Sequence, residues 1–367
     1  MTDLIPEFGA TLTIDLGALV ENWRLLSRRV PQAECGAVVK ADAYGCGIEP
    51  VVTALDRAGC HSFFVAHISE ARRVRRIAPD AIIYVLNGLL PGTAEVLQSI
   101  DARPVLGSLA EIDEWDKRGR QRPCAIHVDT GMNRLGLSVA EARELQAAGG
   151  FDMLALGLVM THFTSAEVDG DPATRRQVLA FADIADLFPD VSKSLLNSSG
   201  HFLDIAPAYD LTRPGYALYG GNPTPQQPNP MNPVVNLKAR IIQVRDVADG
   251  TAVGYNGRWH ARGRRRLATI HLGYADGFPR NGGGLDILPG GQGLIGDVLC
   301  PFVGTVSMDL IIMDVTEASP KLAVRGGGVT IIGGELDIDR VALSAKTVGY
   351  EMLTSLGRRY HRAYVGG

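Results

Sequence analysis

Roughly the first 220 residues alternate between short apolar runs and longer amphipathic stretches, and this alternation limits the fold more than any other feature. The strand-like runs lie at residues 36–39, 63–66, 81–86, 104–106, 125–128, 154–160 and 194–196, and near Leu211. The clearest helical stretches between them are residues 69–77, 109–117, 139–147 and 172–187. Eight such units predict a parallel sheet closed into a TIM-type (β/α)8 barrel. An open doubly wound sheet is the alternative that periodicity cannot exclude.

The pattern changes after residue 221. Residues 222–233, NPTPQQPNPMNP, are too rich in proline for a helix or a central strand, and we interpret them as a linker. Runs of β-branched residues with turn signals follow, and a helix is predicted again only at residues 341–359. We therefore predict an α/β barrel in residues 1–232 and a mostly β C-terminal domain in residues 233–367. Packing of about the first 12 residues against the β-domain is left open.

Charge and composition narrow the functional class. The formal net charge is −4, whereas a dedicated nucleic-acid-binding protein is usually strongly basic. No apolar run approaches the roughly 18 residues that a membrane span needs, and the opening residues MTDLIPEF show no signal-peptide pattern. The five cysteines are scattered without a CxxC pair, which predicts neither a disulfide framework nor a metal site. We expect a cytoplasmic enzyme of a small metabolite, with no nucleic-acid or membrane partner.

Polar side chains follow the predicted barrel strands, at the end where barrel active sites are built. They are Lys40, His67, Asn87, Asp129, Arg134, His162, Asn197, Ser198 and Arg213. Lys40 follows the apolar residues 37–39. It either reaches solvent or acts as a partly desolvated nucleophile with a lowered pKa. Tyr44 lies four residues further on, close enough to contact whatever the lysine binds.

Eight sequence blocks, taken together and in this order, resemble those of alanine racemases. They are VVKADAYGCG (38–47), VDTGMNRLG (128–136), THF (161–163), NSSG (197–200), RPGYALYG (213–220), VGYNG (253–257), GYADGFPR (273–280) and GTVSMD (304–309). The resemblance implies a barrel followed by a β-domain, a pyridoxal 5'-phosphate cofactor and interconversion of L-alanine and D-alanine. It leaves open whether D-alanine is made for peptidoglycan or alanine is broken down, and whether serine is also a substrate.

The resemblance also implies roles for residues of the barrel. Lys40 would carry the cofactor, and Arg213 would face its ring nitrogen with His162 beside it. The remaining cofactor-binding residues would be Tyr44, Asn197, Ser198, Gly215 and Tyr216, most of them around the phosphate. From the sequence alone, Ser198 could equally be a turn or cap residue.

Racemisation removes a proton from one face of Cα and returns it to the other, so two bases are expected. The resemblance implies that Lys40 serves the D-isomer and that Tyr255 serves the L-isomer, although Tyr255 between Gly254 and Asn256 could simply be a turn residue. Arg134 would bind the substrate carboxylate, helped by the backbone of Met308.

In this family Tyr255 and Met308 act across a homodimer interface, so the β-domain would supply the second base to its partner's barrel. Supporting positions implied by the resemblance are Tyr274, Asp309, Glu167 and Arg280, the last two lining the path to the active site.

Two positions depart from the family pattern. His127 stands where many relatives have a carbamylated lysine beside the arginine corresponding to Arg134, and Arg358 falls where some have a tyrosine. We expect Arg134 to be supported without a carbamate, by chloride, a nearby carboxylate or neutral His127. Two rival functions share the barrel: a pyridoxal-phosphate-binding protein without turnover, which would lack the β-domain, and an amino-acid decarboxylase.

Overall fold

The computed structural model describes residues 7–119 and 121–367. Residues 1–6, which belong to the segment whose packing was left open, lie outside the described residues. The chain forms two compact units: a barrel unit, Leu19–Asn232, and a β-unit made of the described residues up to Ala18 together with Pro233–Gly367. Within the described ranges, no helix combines the length and the apolar character that a membrane crossing requires.

Among its described residues, the barrel unit has eight main parallel strands in sequential order. Their bounds are Glu34–Cys35 continuing into Ala37–Val38, Ser62–Val65, Ile82–Val85, Ala102–Leu106, Cys124–Asp129, Leu156–Met160, Ser192–Ser194 and Leu211–Thr212. The last strand pairs with the first in parallel, and the Arg213 amide donates to the Leu196 carbonyl at 2.9 Å on its other side. These bonds close the sheet, so the predicted (β/α)8 barrel is confirmed and the open sheet is excluded. Leu137–Ser138 is a short extra strand beside Cys124–Asp129.

The strand Ser62–Val65 shows why such runs are apolar, since both of its faces are covered and Phe63, Phe64 and Val65 are fully buried. The chain up to residue 232 contains the helices Leu16–Arg29, Ile48–Ala58, Ile68–Ile77, Ala94–Ser99, Leu109–Arg118, Val139–Ala147 and Pro172–Asp186, and the 3-10 turns Ser199–Phe202 and Tyr216–Tyr219. Residues 222–233, interpreted as a linker, form neither helix nor strand.

The β-unit is built around the long strand Val235–Val247. It pairs antiparallel with Ala10–Asp15, Gly328–Ile332 and Arg265–Ile270. The other strands are Ala252–Val253, Trp259–His260, Gln292–Ile295, Val298–Pro301, Ile311–Asp314 and His361–Val365. Short 3-10 turns lie at Tyr255–Gly257, Tyr274–Asp276 and Arg280–Gly282. The predicted mostly β domain is therefore confirmed.

The single helix predicted at residues 341–359 is wrong. Two short helices, Ile338–Ser344 and Gly349–Thr354, replace it. Between them Lys346 adopts a φ of 60° and Val348 is extended, so the chain turns sharply where the apolar spacing alone suggested continuity.

Candidate active site

Lys40 opens a left-handed turn at the carboxyl end of the first barrel strand. Ala41, Asp42, Ala43 and Tyr44 have φ values between 51° and 55°, although none of them is glycine. Left-handed backbone costs about 1–2 kcal/mol for each such residue. Conformations of this kind persist only where the surrounding structure holds them, and they concentrate at functional sites.

The Lys40 amine lies in an environment that favours its neutral form. Burial lowers the pKa of Lys40, nearby Arg134 lowers it further, and the Glu70 carboxylate opposes both. A neutral amine is the form that attacks a carbonyl carbon. The half-buried position of Lys40 and its lowered pKa favour a nucleophile over a lysine that simply reaches solvent.

Tyr44, Ser198 and Gly215 form a small polar cradle beside this turn. The Ser198 hydroxyl accepts hydrogen bonds from the amides of Gly215 and Ala217, at 3.0 and 3.1 Å. A Cβ on residue 215 would lie 2.5 Å from the Tyr44 hydroxyl, so only glycine leaves the cradle open. Tyr44 itself is fixed by stacking on Tyr219, with ring centroids 4.6 Å apart.

Asn197 orders the loop that carries Ser198. Its side-chain oxygen accepts a hydrogen bond from the Gly200 amide at 2.9 Å. His201 holds the same loop, because one ring nitrogen lies 2.8 Å from the Asn197 carbonyl and the other 3.0 Å from the Thr212 hydroxyl. The loop is thereby tied to the residue that precedes Arg213.

Arg213 is a buried cation within the barrel. Its guanidinium donates to the Thr161 carbonyl at 2.5 Å and to the Ser194 hydroxyl. Burial lowers the pKa of Arg213 to about 9, which still leaves it charged at neutral pH. A guanidinium offers donors and no acceptor, so whatever it faces must accept a hydrogen bond.

Two histidines next to this cation are held neutral. Burial first, and then Arg213, lower the pKa of His162 to about 3 and that of His127 to about 4. A neutral imidazole has one ring nitrogen that can accept a hydrogen bond. Gln177 fixes the backbone here, since its amide donates to the His162 carbonyl at 2.9 Å and to the Thr130 hydroxyl at 3.2 Å.

Arg134 projects from an ordered loop after the fifth strand. The Asp129 carboxylate accepts hydrogen bonds from the amides of Gly131 and Met132, both at 2.8 Å, and so shapes the loop. The Arg134 side chain is exposed and makes no hydrogen bond or ion pair with any residue that the structure describes. It is available to bind a carboxylate. Glu167, further along the chain, is also exposed.

The predicted site residues of the β-unit lie on its exposed turns. Tyr255 is 65% exposed and follows Gly254, whose φ is 75°. This turn packs against Gly304, where an added Cβ would lie 3.0 Å from the Val253 carbonyl. The VGYNG and GTVSMD blocks are therefore neighbours within this unit.

The third block of the β-unit packs on the same segment. The Tyr274 and Ala275 amides donate to the carbonyls of Ser307 and Met308, at 3.0 and 2.9 Å. Asp309 accepts a hydrogen bond from Arg359 at 2.8 Å. The side chains of Met308, Tyr274 and Arg280 are exposed, so this surface presents several of the predicted residues to solvent.

Both units match one family of known proteins. Residues 14–223 match the family model "Alanine racemase, N-terminal domain", and residues 234–364 match "Alanine racemase, C-terminal domain". The chain belongs to the alanine racemase family. An alanine racemase of Methylobacterium sp. (strain 4-46) is 55% identical, with 100% of each chain covered. The alanine racemase of Methylobacterium nodulans is 54% identical over 98% of this chain and 97% of its own.

A solved structure of an alanine racemase has the same fold as this chain. The crystal structure of alanine racemase from Bartonella henselae, described as having covalently bound pyridoxal phosphate, superposes with a TM-score of 0.92. It is 36% identical and covers 97% of this chain and 99% of its own. The family resemblance predicted from the eight sequence blocks is thus confirmed.

Sequence reasoning assigned no role to several residues that shape this candidate site. Thr161 was quoted only as part of the THF block, and Ser194 and Gln177 were not singled out, because each is defined by a contact with another element of the barrel. Glu70 could have been found, since it stands three residues after His67 at the spacing of a capping box. Of the predicted site residues, the barrel unit contains Lys40, Tyr44, Ser198 and Gly215. The β-unit contains Tyr255, Met308, Tyr274, Asp309 and Arg280.

Proposed function

We propose that the chain interconverts L-alanine and D-alanine by a two-base mechanism in which Lys40 and Tyr255 act on opposite faces of Cα. Alanine racemase activity follows from the family, and the residue assignments are our proposal. The observation that carries them is the half-buried Lys40, with its lowered pKa, beside a polar cradle at the carboxyl end of the barrel.

The cofactor of this alanine racemase is pyridoxal phosphate, and the barrel residues fit it. The open space that a Cβ at residue 215 would fill is bordered by hydroxyls and backbone amides, which suit a phosphate. Lys40 would hold the cofactor covalently. Tyr44, Ser198, Gly215 and Tyr216 would hold its phosphate, with Asn197 shaping the loop, and Arg213 would face its ring nitrogen with His162 alongside. When bound, the cofactor supplies an electron sink for negative charge at Cα.

Each protein group then has one task. Lys40 removes or returns the proton on the D-face, and Tyr255 does so on the L-face. Arg134 binds the substrate carboxylate, for which a guanidinium is geometrically suited, and the Met308 backbone assists. Arg213 keeps its own proton and therefore leaves the facing ring nitrogen mostly unprotonated. This weakens the electron sink and limits side reactions such as transamination.

We further propose a cytoplasmic homodimer in which one subunit's barrel and its partner's β-domain complete each site. Glu167 and Arg280 would line the path to it, with Tyr274 and Asp309 supporting Met308. Support comes from the exposure of Tyr255 and Met308 on the β-unit and from the division of the two assigned bases between the units, with Lys40 in one and Tyr255 in the other. The activity could serve peptidoglycan synthesis or alanine breakdown.

Mixing inactive variants tests the shared site. Lys40→Ala and Tyr255→Phe chains should each be inactive alone, and after subunit exchange they should regain about a quarter of wild-type activity per subunit. The reason is that half of the dimers are hybrids, and each hybrid has one intact site. The measurement is racemisation of L-alanine before and after exchange.

The control for this mixing experiment is the double variant Lys40→Ala/Tyr255→Phe mixed with wild type. If the two bases come from different subunits, its hybrids have no intact site, and wild-type activity should fall as exchange proceeds. Unchanged activity in that mixture, or no recovery in the first mixture after fluorescence shows that subunits exchange, contradicts the shared site.

His127 leads to a second prediction, on bicarbonate. Where many relatives have a carbamylated lysine, this chain has His127. Burial lowers the pKa of His127 to about 4 and keeps it neutral, and imidazole forms no stable carbamate. We expect racemisation to be unchanged by added bicarbonate and by its removal. A His127→Lys variant provides the matched comparison, because it restores a side chain that bicarbonate can modify. Activation of the unaltered enzyme by bicarbonate would show that another lysine supplies the carbamate.

A further inference from the structure

The left-handed turn that carries Lys40 is held by one buried carboxylate from the next β/α unit. The Glu70 side chain accepts a hydrogen bond from the Ala41 amide at 2.6 Å, directly after the lysine. Its other oxygen accepts from the amides of Ala66 and His67, at 2.9 and 3.0 Å. One side chain, only 9% exposed, thus joins the ends of the first two barrel strands.

The position of Glu70 explains why it reaches this far. It is the third residue of the helix Ile68–Ile77, where a glutamate normally closes a capping box on its own helix. Here the same carboxylate has a second oxygen free to accept from Ala41, 29 positions earlier in the chain. The two oxygens accept hydrogen bonds from three backbone amides, so the turn that starts at Lys40 has little freedom to move.

The chain contains a matched example without a catalytic neighbour. Glu111 is the third residue of the helix Leu109–Arg118 and accepts from the Gly107 amide at 2.7 Å. It also reaches back to the Leu89 amide at 2.8 Å, in the loop after an earlier strand. The fold therefore uses the same connection twice, and only the one made by Glu70 contacts the Lys40 segment.

We infer that Glu70 is a positioning residue for Lys40, and that its carboxylate fixes the left-handed turn in the geometry that aims the lysine amine at the reacting carbon. The inference rests on the proposed function, in which Lys40 carries the cofactor and acts as a base. A glutamine cannot replace Glu70. It has only one accepting oxygen, and its NH2 group would then face a backbone N–H, so that two donors would oppose each other. The negative charge of Glu70 also favours the protonated form of Lys40.

The test compares Glu70→Gln with Glu111→Gln in the cofactor-loaded enzyme. Hydrogen exchange of the Ala41 amide should become about 100-fold faster in Glu70→Gln, since its acceptor is lost. The kcat should fall about 10- to 100-fold, because a small misplacement of a reacting group has an effect of this size. The KM for alanine should stay within about threefold, because Arg134 is untouched. The acidic limb of the kcat profile should move to lower pH by about half a unit.

Glu111→Gln should show faster exchange at the Leu89 amide, with exchange at Ala41, kcat and its pH profile unchanged. Similar behaviour of the two variants at Ala41 and in kcat would overturn the inference. If Glu70→Gln does not fold, the wild type still provides a test. Its Ala41 amide should exchange as slowly as those of Ala66 and His67, although Ala41 is exposed, and rapid exchange there would overturn the inference.

Borohydride reduction of the wild type separates the two levels of the proposal. Label on Lys40, together with no distinctive effect of Glu70→Gln, would overturn the positioning role alone. Label on a different lysine would overturn the proposed function and this inference together.

Discussion

Lys40→Ala should lower racemisation by about four orders of magnitude or more, the largest effect that we expect from any single substitution. The change removes two functions at once, because the amine holds the cofactor and also exchanges the proton on the D-face. Arg134 and the phosphate cradle remain, so some noncovalent cofactor binding should persist. The measurements are the racemisation rate and the mass of the protein after borohydride treatment.

A lysine elsewhere in the barrel unit provides the control. Lys193 donates to the Pro189 carbonyl at 3.1 Å on the exposed side of the chain. Lys193→Ala should keep wild-type activity and still gain the mass of the reduced cofactor. A Lys40→Ala chain that is labelled by borohydride at full stoichiometry would show that the assignment of Lys40 is wrong.

Tyr255→Phe should lower racemisation by about three orders of magnitude, the range attributed to a single positioned acid–base group. The substitution removes only a hydroxyl from a side chain that is 65% exposed, so stability and cofactor content should stay unchanged. Its effect should also be one-sided. In deuterium oxide, D-alanine should still exchange its Cα hydrogen through Lys40, whereas exchange from L-alanine should fall with the racemisation rate.

Tyr350→Phe is the matched control, since Tyr350 is another exposed tyrosine of the β-unit, at 47% exposure. It should leave both exchange reactions and the racemisation rate unaltered. Equal loss of exchange from both isomers in Tyr255→Phe would argue that the tyrosine orders the site and does not transfer the proton.

The barrel was predictable because its signal is local. Most of its strands are runs of mainly buried apolar residues. The predicted runs 63–66 and 125–128 each differ by one position at each end from the observed strands Ser62–Val65 and Cys124–Asp129. The order of the strands follows from the rule that successive β/α units lie side by side in a barrel. Closure of the sheet was not fixed by this local signal, because an open doubly wound sheet has the same periodicity, and it depends on the long-range pairing of Leu211–Thr212 with Glu34–Cys35.

The left-handed turn could not be predicted in this way. Ala41, Asp42, Ala43 and Tyr44 include no glycine, and alanine ordinarily favours right-handed helix. The conformation depends on Glu70, a residue that is distant in sequence and whose local spacing suggests only a helix cap. Similarly, Ser194 becomes visible as a site residue only once Arg213 is seen to donate to it.

The sequence blocks propose more site residues than the strand pattern does. Lys40 and Arg213 stand out as strand-end residues. For Tyr255, a purely structural role as a turn residue agrees with its exposed position after Gly254 as well as a catalytic role does. Its catalytic role stays a prediction that the substitutions above can test.

The strand Ala10–Asp15 lies between Val235–Val247 and His361–Val365 in the sheet of the β-unit. The whole barrel is therefore an insertion between the first strand of that sheet and the rest of it. During synthesis on the ribosome, this strand emerges before its partners and must wait for more than two hundred further residues until they exist. Such non-local pairing is slow, and an unpaired strand is prone to misassociation. A fragment of residues 233–367 would lack Ala10–Asp15, which is an interior strand of its sheet. Truncating the chain at residue 233 therefore does not give a complete β-unit.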